Sequence, residues 1–323
     1  MEPAPLMTTY GAHRGGVASI LRRTFALLLG HFFCTMGAMA ASPMTLQQYM
    51  ALSGPEPSAH LAYGQAPSQF VELFQPSGSG PHPVVVLVHG GCWLKEYAGI
   101  RQMHDVAGAL AAQGFAVWNI EYRRVDEDGG GYPGTYLDVA AAVELLRVRA
   151  GKYRLDMARL VAVGHSAGGH LVQWLAGRAR IPPSSPLFAA QPLRIPEVIA
   201  LGSISDLRTR QDSQKRICGV DIVKLTGTAH GVRANVYADT NPAELLPNGS
   251  HTVLINGALD TVSPPATAAD FARLAQSAGD SVETLVLPLA SHYDEVASAS
   301  PAWPLILRVI RKALDWTPPA SKR

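Results

Sequence analysis

From residue 70 onward the chain alternates short apolar runs with longer amphipathic stretches. Phe70 to Phe74 (FVELF) alternates apolar and polar positions, the period of a half-exposed edge strand. After the loop QPSGSGPHP, Val84 to Val88 (VVVLV) is unbroken and β-branched, which predicts a strand buried on both faces of a parallel sheet. Met103 to Ala112 reads as a helix ended near Gly114, and Phe115 to Ile120 as the next strand. Tyr136 to Val148 is helical by spacing, with Leu137, Ala141, Leu145 and Val148 along its core side. Leu160 to Val163 predicts a strand and Ala167 to Arg178 the helix that leaves it. Further strands are expected at Val198 to Gly202, Thr252 to Asn256 and Val282 to Leu287. Pro264-Pro265 opens a helix to Ser277, and Pro304 opens a last one to Asp315 with Leu307, Ile310 and Leu314 as its stripe.

Strands alternating with helices imply right-handed crossovers and a mainly parallel sheet with helices on both faces, an α/β fold. The main domain is expected over residues 70–323, preceded by a Pro-rich lead-in, residues 41–69, that wraps the surface. Between the strands at 198 and 252 lie roughly fifty residues, against ~2 to 6 for an ordinary α/β connection. The stretch 203–250 is therefore expected to be a small cap insertion over the C-terminal edge of the sheet.

Residues 1–40 follow another pattern. Arg14, Arg22 and Arg23 precede an apolar run from Phe25 to Ala40 that ends in Ala38-Met39-Ala40, the small-x-small signature of signal-peptide cleavage. The run is shorter than the ~20 residues a membrane span needs, so export with cleavage after Ala40 is expected, to the periplasm or outside the cell, with no stable membrane anchor afterwards. Removal takes three arginines from 27 basic residues and Glu2 from 25 acidic ones, leaving the two balanced. With 47% hydrophobic and 16% charged residues and no long run of either sign, the chain is globular, and nucleic acid is not expected as a partner. Cys34 leaves with the signal, and Cys92 and Cys218 remain in a compartment that permits disulfides. Two unpaired buried thiols are favoured over a bridge between them, since separation in sequence says nothing about bonding distance.

The chemistry centres on GHSAGG, Gly164 to Gly169, which contains G-x-S-x-G between the strand at 160 and the helix at 167. That placement makes the elbow that raises a serine hydroxyl at the top of an α/β sheet. A serine is a weak nucleophile until a base takes its proton, so Ser166 needs a histidine and an orienting acid. Asp260, in GALDTVSPP after the strand at 252, and His292, in PLASHYD after the strand at 282, meet the requirement in chain order and position. Asp270 lies inside a helix, Asp239 in the insertion, Asp294 too close to His292, and His251 at the wrong end of its strand. The backbone N–H of Ala167 and those of Gly90 and Gly91, in the loop after the VVVLV strand, are the expected oxyanion donors. His89 is expected to hold that loop by hydrogen bonds. Trp93 either braces it or touches substrate, and Tyr97 and Tyr132 are weaker pocket candidates; for these and for Tyr136 alike, ordinary packing is the alternative reading. There is no H-E-x-x-H, C-x-x-C, P-loop or dinucleotide fingerprint, so no metal and no cofactor are expected.

The combination HGGCW, GHSAGGHL, GALD and ASH resembles the α/β-hydrolase esterases that carry an HGGxW or HGGG oxyanion motif, including kynurenine formamidase-like enzymes. Trp93 brings the chain nearer the HGGxW branch, and the resemblance runs from about residue 70 to 316. It implies the α/β-hydrolase fold, Ser166 as nucleophile, Asp260 and His292 as its relay, and hydrolysis of small, largely uncharged carboxylic esters or activated amides through an acyl-enzyme. Three alternatives stay open: an arylformamidase, an aminopeptidase of prolyl-oligopeptidase type, for whose propeller the chain has no room, and a non-catalytic binding protein on a hydrolase scaffold.

Overall fold

The computed structural model describes residues 42–97 and 99–315. The expected signal segment, residues 1–40, lies outside them. The described chain begins with a short helix, α1 (Leu46–Met50). Among the described residues, eight strands form one sheet: β1 (Ala59–Ala62), β2 (Phe70–Phe74), β3 (His82–Val88), β4 (Ala116–Ile120), β5 (Leu155–His165), β6 (Glu197–Leu201), β7 (His251–Gly257) and β8 (Ser281–Leu287). Their spatial order is β1-β2-β4-β3-β5-β6-β7-β8. From β4 across to β8 every pairing is parallel, while β2 runs antiparallel to both β1 and β4. The helices that connect or follow the strands are α2 (His104–Ala112), α3 (Gly134–Tyr153), α4 (Ala167–Gly177), α5 (Leu207–Cys218), α6 (Val223–Thr226), α7 (Pro265–Ser277) and α8 (Trp303–Ala313). None of the described helices is long and apolar enough to cross a membrane.

The unbroken apolar run of β3 is explained by burial on both sides. Val84, Val86 and Val88 pack with Val139 and Val143 of α3 and Leu171 and Leu175 of α4, whereas Val85 and Leu87 pack with Leu110 of α2 and Ile306 and Ile310 of α8. Strand residues alternate faces, so a strand with helices on both sides has no position left for polar side chains. The last helix carries the expected stripe: Leu307, Ile310 and Leu314 are buried, with Ile306 beside them.

Two expectations need correction. β2 is not an edge strand, because β1, unforeseen in the lead-in, pairs outside it. Glu72, whose charge suggested exposure, is buried and accepts a hydrogen bond from His104 Nε2 at 2.7 Å. The buried side of α3 is also different: Leu137 and Val148 are exposed, 42% and 73%, while Tyr136, Val139, Val143 and Leu146 face the core. Both sets recur every three or four residues, and alanines such as Ala140 and Ala142 on the buried side lower its apolar contrast.

The parallel strands all end on one edge of the sheet. There the segments after β3, β5, β7 and β8 carry the glycine loop, Ser166, Asp260 and His292. Between β6 and β7 the chain builds α5, α6 and a 3₁₀ turn at Pro242–Glu244.

Candidate active site

Ser166 is the junction between β5 and α4, with φ 53° and ψ −117°. A non-glycine residue held there costs on the order of 1–3 kcal/mol, and such strain clusters at functional positions. Local hydrogen bonds hold it: the Ser166 N–H donates to the Leu201 carbonyl at 2.8 Å, and the Ser166 carbonyl accepts from the His170 N–H at 3.2 Å. Gly164 is needed because a Cβ there would lie 2.2 Å from the Gly168 carbonyl oxygen, inside the tight strand-to-helix turn.

Asp260 and His292 are brought together and buried. His292 Nδ1 and Asp260 Oδ2 are 2.8 Å apart. The other carboxylate oxygen, Oδ1, accepts the backbone N–H groups of Val262 at 2.7 Å and Ser263 at 2.8 Å, which fixes the carboxylate in one orientation. The backbone carbonyl of His292 accepts from His165 Nε2 at 2.9 Å, fastening the histidine loop to the residue before Ser166. Burial, and then the neighbouring His292, hold the His165 pKa well below the usual imidazole value, so His165 is a neutral support.

Ser166 and His292 border one cavity of about 210 Å³. Leu46, Tyr49, Tyr97, Ile217, Val262 and Tyr293 make its apolar walls, and no Lys, Arg, Asp or Glu is among its bordering residues. Beneath it lies Glu295, wholly buried, with Oε1 accepting the Gly257 N–H at 2.6 Å. Burial, and then the Asp260 charge, push its carboxyl well above the ordinary range. Glu295 is thus a neutral acid beside the Asp260–His292 pair. One potential ligand atom each of His165, His292 and Glu295 lies within 4.8 Å of the others. His292 Nδ1 is engaged by Asp260 and His165 Nε2 by the His292 carbonyl, while His165 Nδ1 and Glu295 Oε2 are buried without a hydrogen-bond partner.

The glycine loop stands on His89, as expected. Its Nδ1 is 2.7 Å from the Gly90 carbonyl and its Nε2 2.8 Å from Glu121 Oε1, and the Tyr122 ring stacks on it at 4.4 Å. Burial alone would raise the Glu121 carboxyl, but His89 and Arg124 beside it bring it down to about 2. Gly91 borders the cavity, Gly90 packs against His165 and Ser166, and Ala167 is the first residue of α4.

Of the pocket candidates, Tyr97 borders the cavity and the other two do not. Trp93 is fully buried, edge-on to the His170 ring, and its carbonyl accepts the Val125 N–H at 2.9 Å, so it braces the loop. Tyr132 lies under the Arg233 guanidinium at 3.9 Å and donates to Asp239 Oδ2 at 3.1 Å, which makes it a support of the insertion.

Residues 71–274 match the family model BD-FAE, over more than half of the chain. The chain belongs to the BD-FAE family. The matched stretch contains Ser166 and Asp260 and stops before His292. Among curated proteins, this BD-FAE chain is 31% identical over 144 residues to esterase EstD of Thermotoga maritima, covering 41% of this chain and 34% of that protein. It is 28% identical over 112 residues to a probable isoprenylcysteine alpha-carbonyl methylesterase of Arabidopsis thaliana, covering 34% of this chain and 23% of that one. The match thus spans about a third and under a quarter of the length of these two relatives. Among solved structures, an inhibited esterase B from Lactobacillus rhamnosis superimposes with a TM-score of 0.68 at 20% identity, over 82% of this chain and 90% of that one. The BD-FAE chain has the α/β-hydrolase fold.

Three features of the site were not foreseen. The lead-in contributes a wall: α1 places Leu46 and Tyr49 on the cavity, with Tyr49 stacked on Tyr293 at 5.5 Å, and the Met44 N–H donates to Asp294 Oδ2 at 2.9 Å. A signal existed in Thr45-x-x-Gln48, a capping box: the Gln48 N–H donates to Thr45 Oγ1 at 3.3 Å and the Thr45 N–H to Gln48 Oε1 at 2.8 Å. Glu295 carried no signal beyond lying three residues after His292. Cys92 and Cys218, expected as unpaired thiols, form a disulfide with their Cα atoms 5.5 Å apart, 126 residues distant in sequence. The path of α5 back to the glycine loop brings them together, and a tertiary path leaves no local trace.

Proposed function

We propose that this protein is a serine-dependent carboxylic ester hydrolase that works through an acyl-enzyme. The observation that carries the reading is His292, hydrogen-bonded to the buried Asp260, bordering the same cavity as a serine in strained elbow geometry. Ser166 Oγ attacks the ester carbonyl carbon while His292 Nε2 takes its proton, and Asp260 stabilises the imidazolium. The N–H groups of Ala167 and of the Gly90–Gly91 loop donate hydrogen bonds to the developing oxyanion. The tetrahedral species collapses, the alcohol leaves with the proton from His292, and the acyl group stays on Ser166. A water activated by His292 then releases the acid and regenerates the serine.

The substrate side of the reading is a small, largely uncharged ester. Walls of aliphatic and tyrosine side chains without a charged residue give an ionic group no partner, and burying an unpaired charge is costly. The esterase names of the relatives and of the structural neighbour support the same chemistry. Export before action is part of the proposal, and the disulfide supports it, since such bonds persist in oxidising compartments.

The test is a hydrolysis panel of p-nitrophenyl esters of increasing acyl length, with N-formyl aromatic amines and aminoacyl anilides alongside, run on the wild type and Ser166→Ala. Short-chain ester hydrolysis lost in Ser166→Ala is the expected result. Turnover by Ser166→Ala at the wild-type rate overturns the proposal, and preferential turnover of formamides or anilides replaces the ester with that class.

A further inference from the structure

The Cys92–Cys218 disulfide joins the glycine loop to the end of α5, two parts of the site 126 residues apart in sequence. Cys92 lies within a run of left-handed backbone: φ is +102° at Gly91, +54° at Cys92 and +54° at Trp93. Glycine adopts that conformation freely, but Cys92 and Trp93 are held in it against their preference. On the Trp93 side the hold is burial and the hydrogen bond from Val125. On the Gly91 side the turn is closed by the Leu94 N–H to the Gly91 carbonyl at 2.9 Å, and Cys92 sits between the two.

At the other end of the bond, α5 is a polar helix, LRTRQDSQKRIC, of which only Leu207, Gln214 and Cys218 are buried. Its start is tied down: Asp206 caps it, and the Leu207 N–H donates to Asn241 Oδ1 at 2.9 Å. Arg210 holds its middle through the Val262 carbonyl at 3.2 Å. Its last turn carries Ile217, which is 39% exposed and borders the cavity with Ser166 and His292, immediately before Cys218. Within α5 that turn buries only Gln214 and Cys218, and the core contacts resume after it at Val220 and Ile222; the bond to Cys92 is what ties the turn to the glycine loop.

We propose that Cys92 and Cys218 are positioning residues whose bond sets the glycine loop for the oxyanion and holds Ile217 as the wall that limits the acyl or alcohol group. The proposal rests on the esterase reading. Cleavage by a dithiol is balanced: a thiolate attacks one sulfur of the bridge and forms a mixed disulfide, and the second thiolate closes on it. The dithiol is oxidised to its cyclic disulfide and Cys92 and Cys218 are left as thiols, a two-electron exchange. Cys92 is the half that borders the cavity, whereas Cys218 is buried.

The experiment compares oxidised wild type, wild type reduced with dithiothreitol, and Cys218→Ser, which leaves the loop residue Cys92 in place. kcat and KM are measured on p-nitrophenyl acetate, butyrate and octanoate, below the Tm of every form. With the bond open, kcat on acetate falls on the order of tenfold, part of the loss that follows complete removal of an oxyanion donor. The ratio of kcat/KM for octanoate to that for acetate rises at least threefold as the Ile217 wall recedes, and reoxidation of the reduced wild type restores both values. Unchanged kcat and unchanged chain-length ratio in reduced enzyme and variant overturn the proposal while leaving the esterase reading intact. Global unfolding on reduction overturns it too, by making the bond a general staple. If the oxidised enzyme hydrolyses none of the panel, the esterase reading falls and takes this proposal with it.

Discussion

Replacing Asp260 with asparagine tests whether the carboxylate works by orienting the imidazole, and the structure dictates how the amide must sit. Oδ1 of Asp260 accepts two backbone N–H groups, from Val262 and Ser263, while Oδ2 faces His292 Nδ1. An asparagine has one oxygen. Turned toward His292, it leaves two buried donors unsatisfied and points its own N–H₂ at them, at ~1–3 kcal/mol for each lost partner. The preferred arrangement therefore keeps the oxygen on Val262 and Ser263 and turns the N–H₂ toward His292. That group donates to Nδ1, which forces the ring proton onto Nε2, the nitrogen that must take the Ser166 proton. The expected loss in kcat on p-nitrophenyl acetate at pH 7.5 is about 10⁴-fold, equivalent to about 5 kcal/mol of barrier. Tm changes little, because the two backbone bonds survive. Asp260→Ala supplies the contrast: it orphans both N–H groups and loses stability as well as activity. An Asp260→Asn enzyme within tenfold of wild-type kcat, or one as unstable as Asp260→Ala, would refute the reasoning.

Two further outcomes follow from packing and from burial. Gly90→Ala puts a Cβ 2.9 Å from the His165 carbonyl oxygen and 3.0 Å from the Ser166 Cβ, so the loop must move off the elbow; kcat is expected to fall ~10²-fold with a smaller change in KM, and steady-state kinetics within threefold of wild type would contradict it. His170 is buried with its pKa lowered to about 4, burial outweighing the Thr240 carbonyl that accepts from it. The neutral ring is the folded form, so its contribution is complete above the unfolded value of 6.5 and is lost as pH falls from there toward 4, by about 3 kcal/mol in all. Urea unfolding at pH 7.5 and 4.5 should show that slope in the wild type and a shallower one in His170→Gln; equal slopes would rule out the assignment.

How much of this was legible in the sequence depends on whether a feature is local. The buried strands were, because helices on both faces leave β3 no polar position and VVVLV follows. Ser166 was, because its elbow is a turn of adjacent residues, and Asp260 and His292 were placed by a strand end and chain order alone. The rim was not. Leu46 and Tyr49 come from a segment with no sheet periodicity, Ile217 and Cys218 from a polar helix whose path is tertiary, and Glu295 from a burial that its charge argues against. β2 and α3 were misread for a related reason: Glu72 is buried because β1 and His104 reach it, and alanines dilute the inner face of α3.

This division has a physical consequence for the site. The sheet edge supplies Ser166, Asp260 and His292, and its geometry is pinned by short-range bonds such as Asp260 to Val262 and Ser263 or Ser166 to Leu201. Part of the wall comes from outside that edge: α1, tied to it through Met44 to Asp294 and Ser291 and through Tyr49 against Tyr293 and His165, and α5, tied through Arg210 and the disulfide. The stretch that matches the family begins at residue 71, after α1, so the Leu46 and Tyr49 wall lies outside it altogether. Substitution in α1 changes the shape of the cavity without disturbing any bond made by Ser166, Asp260 or His292. Under the proposed function, α1 is therefore where the accepted ester of this chain can change while Ser166, Asp260 and His292 keep one arrangement.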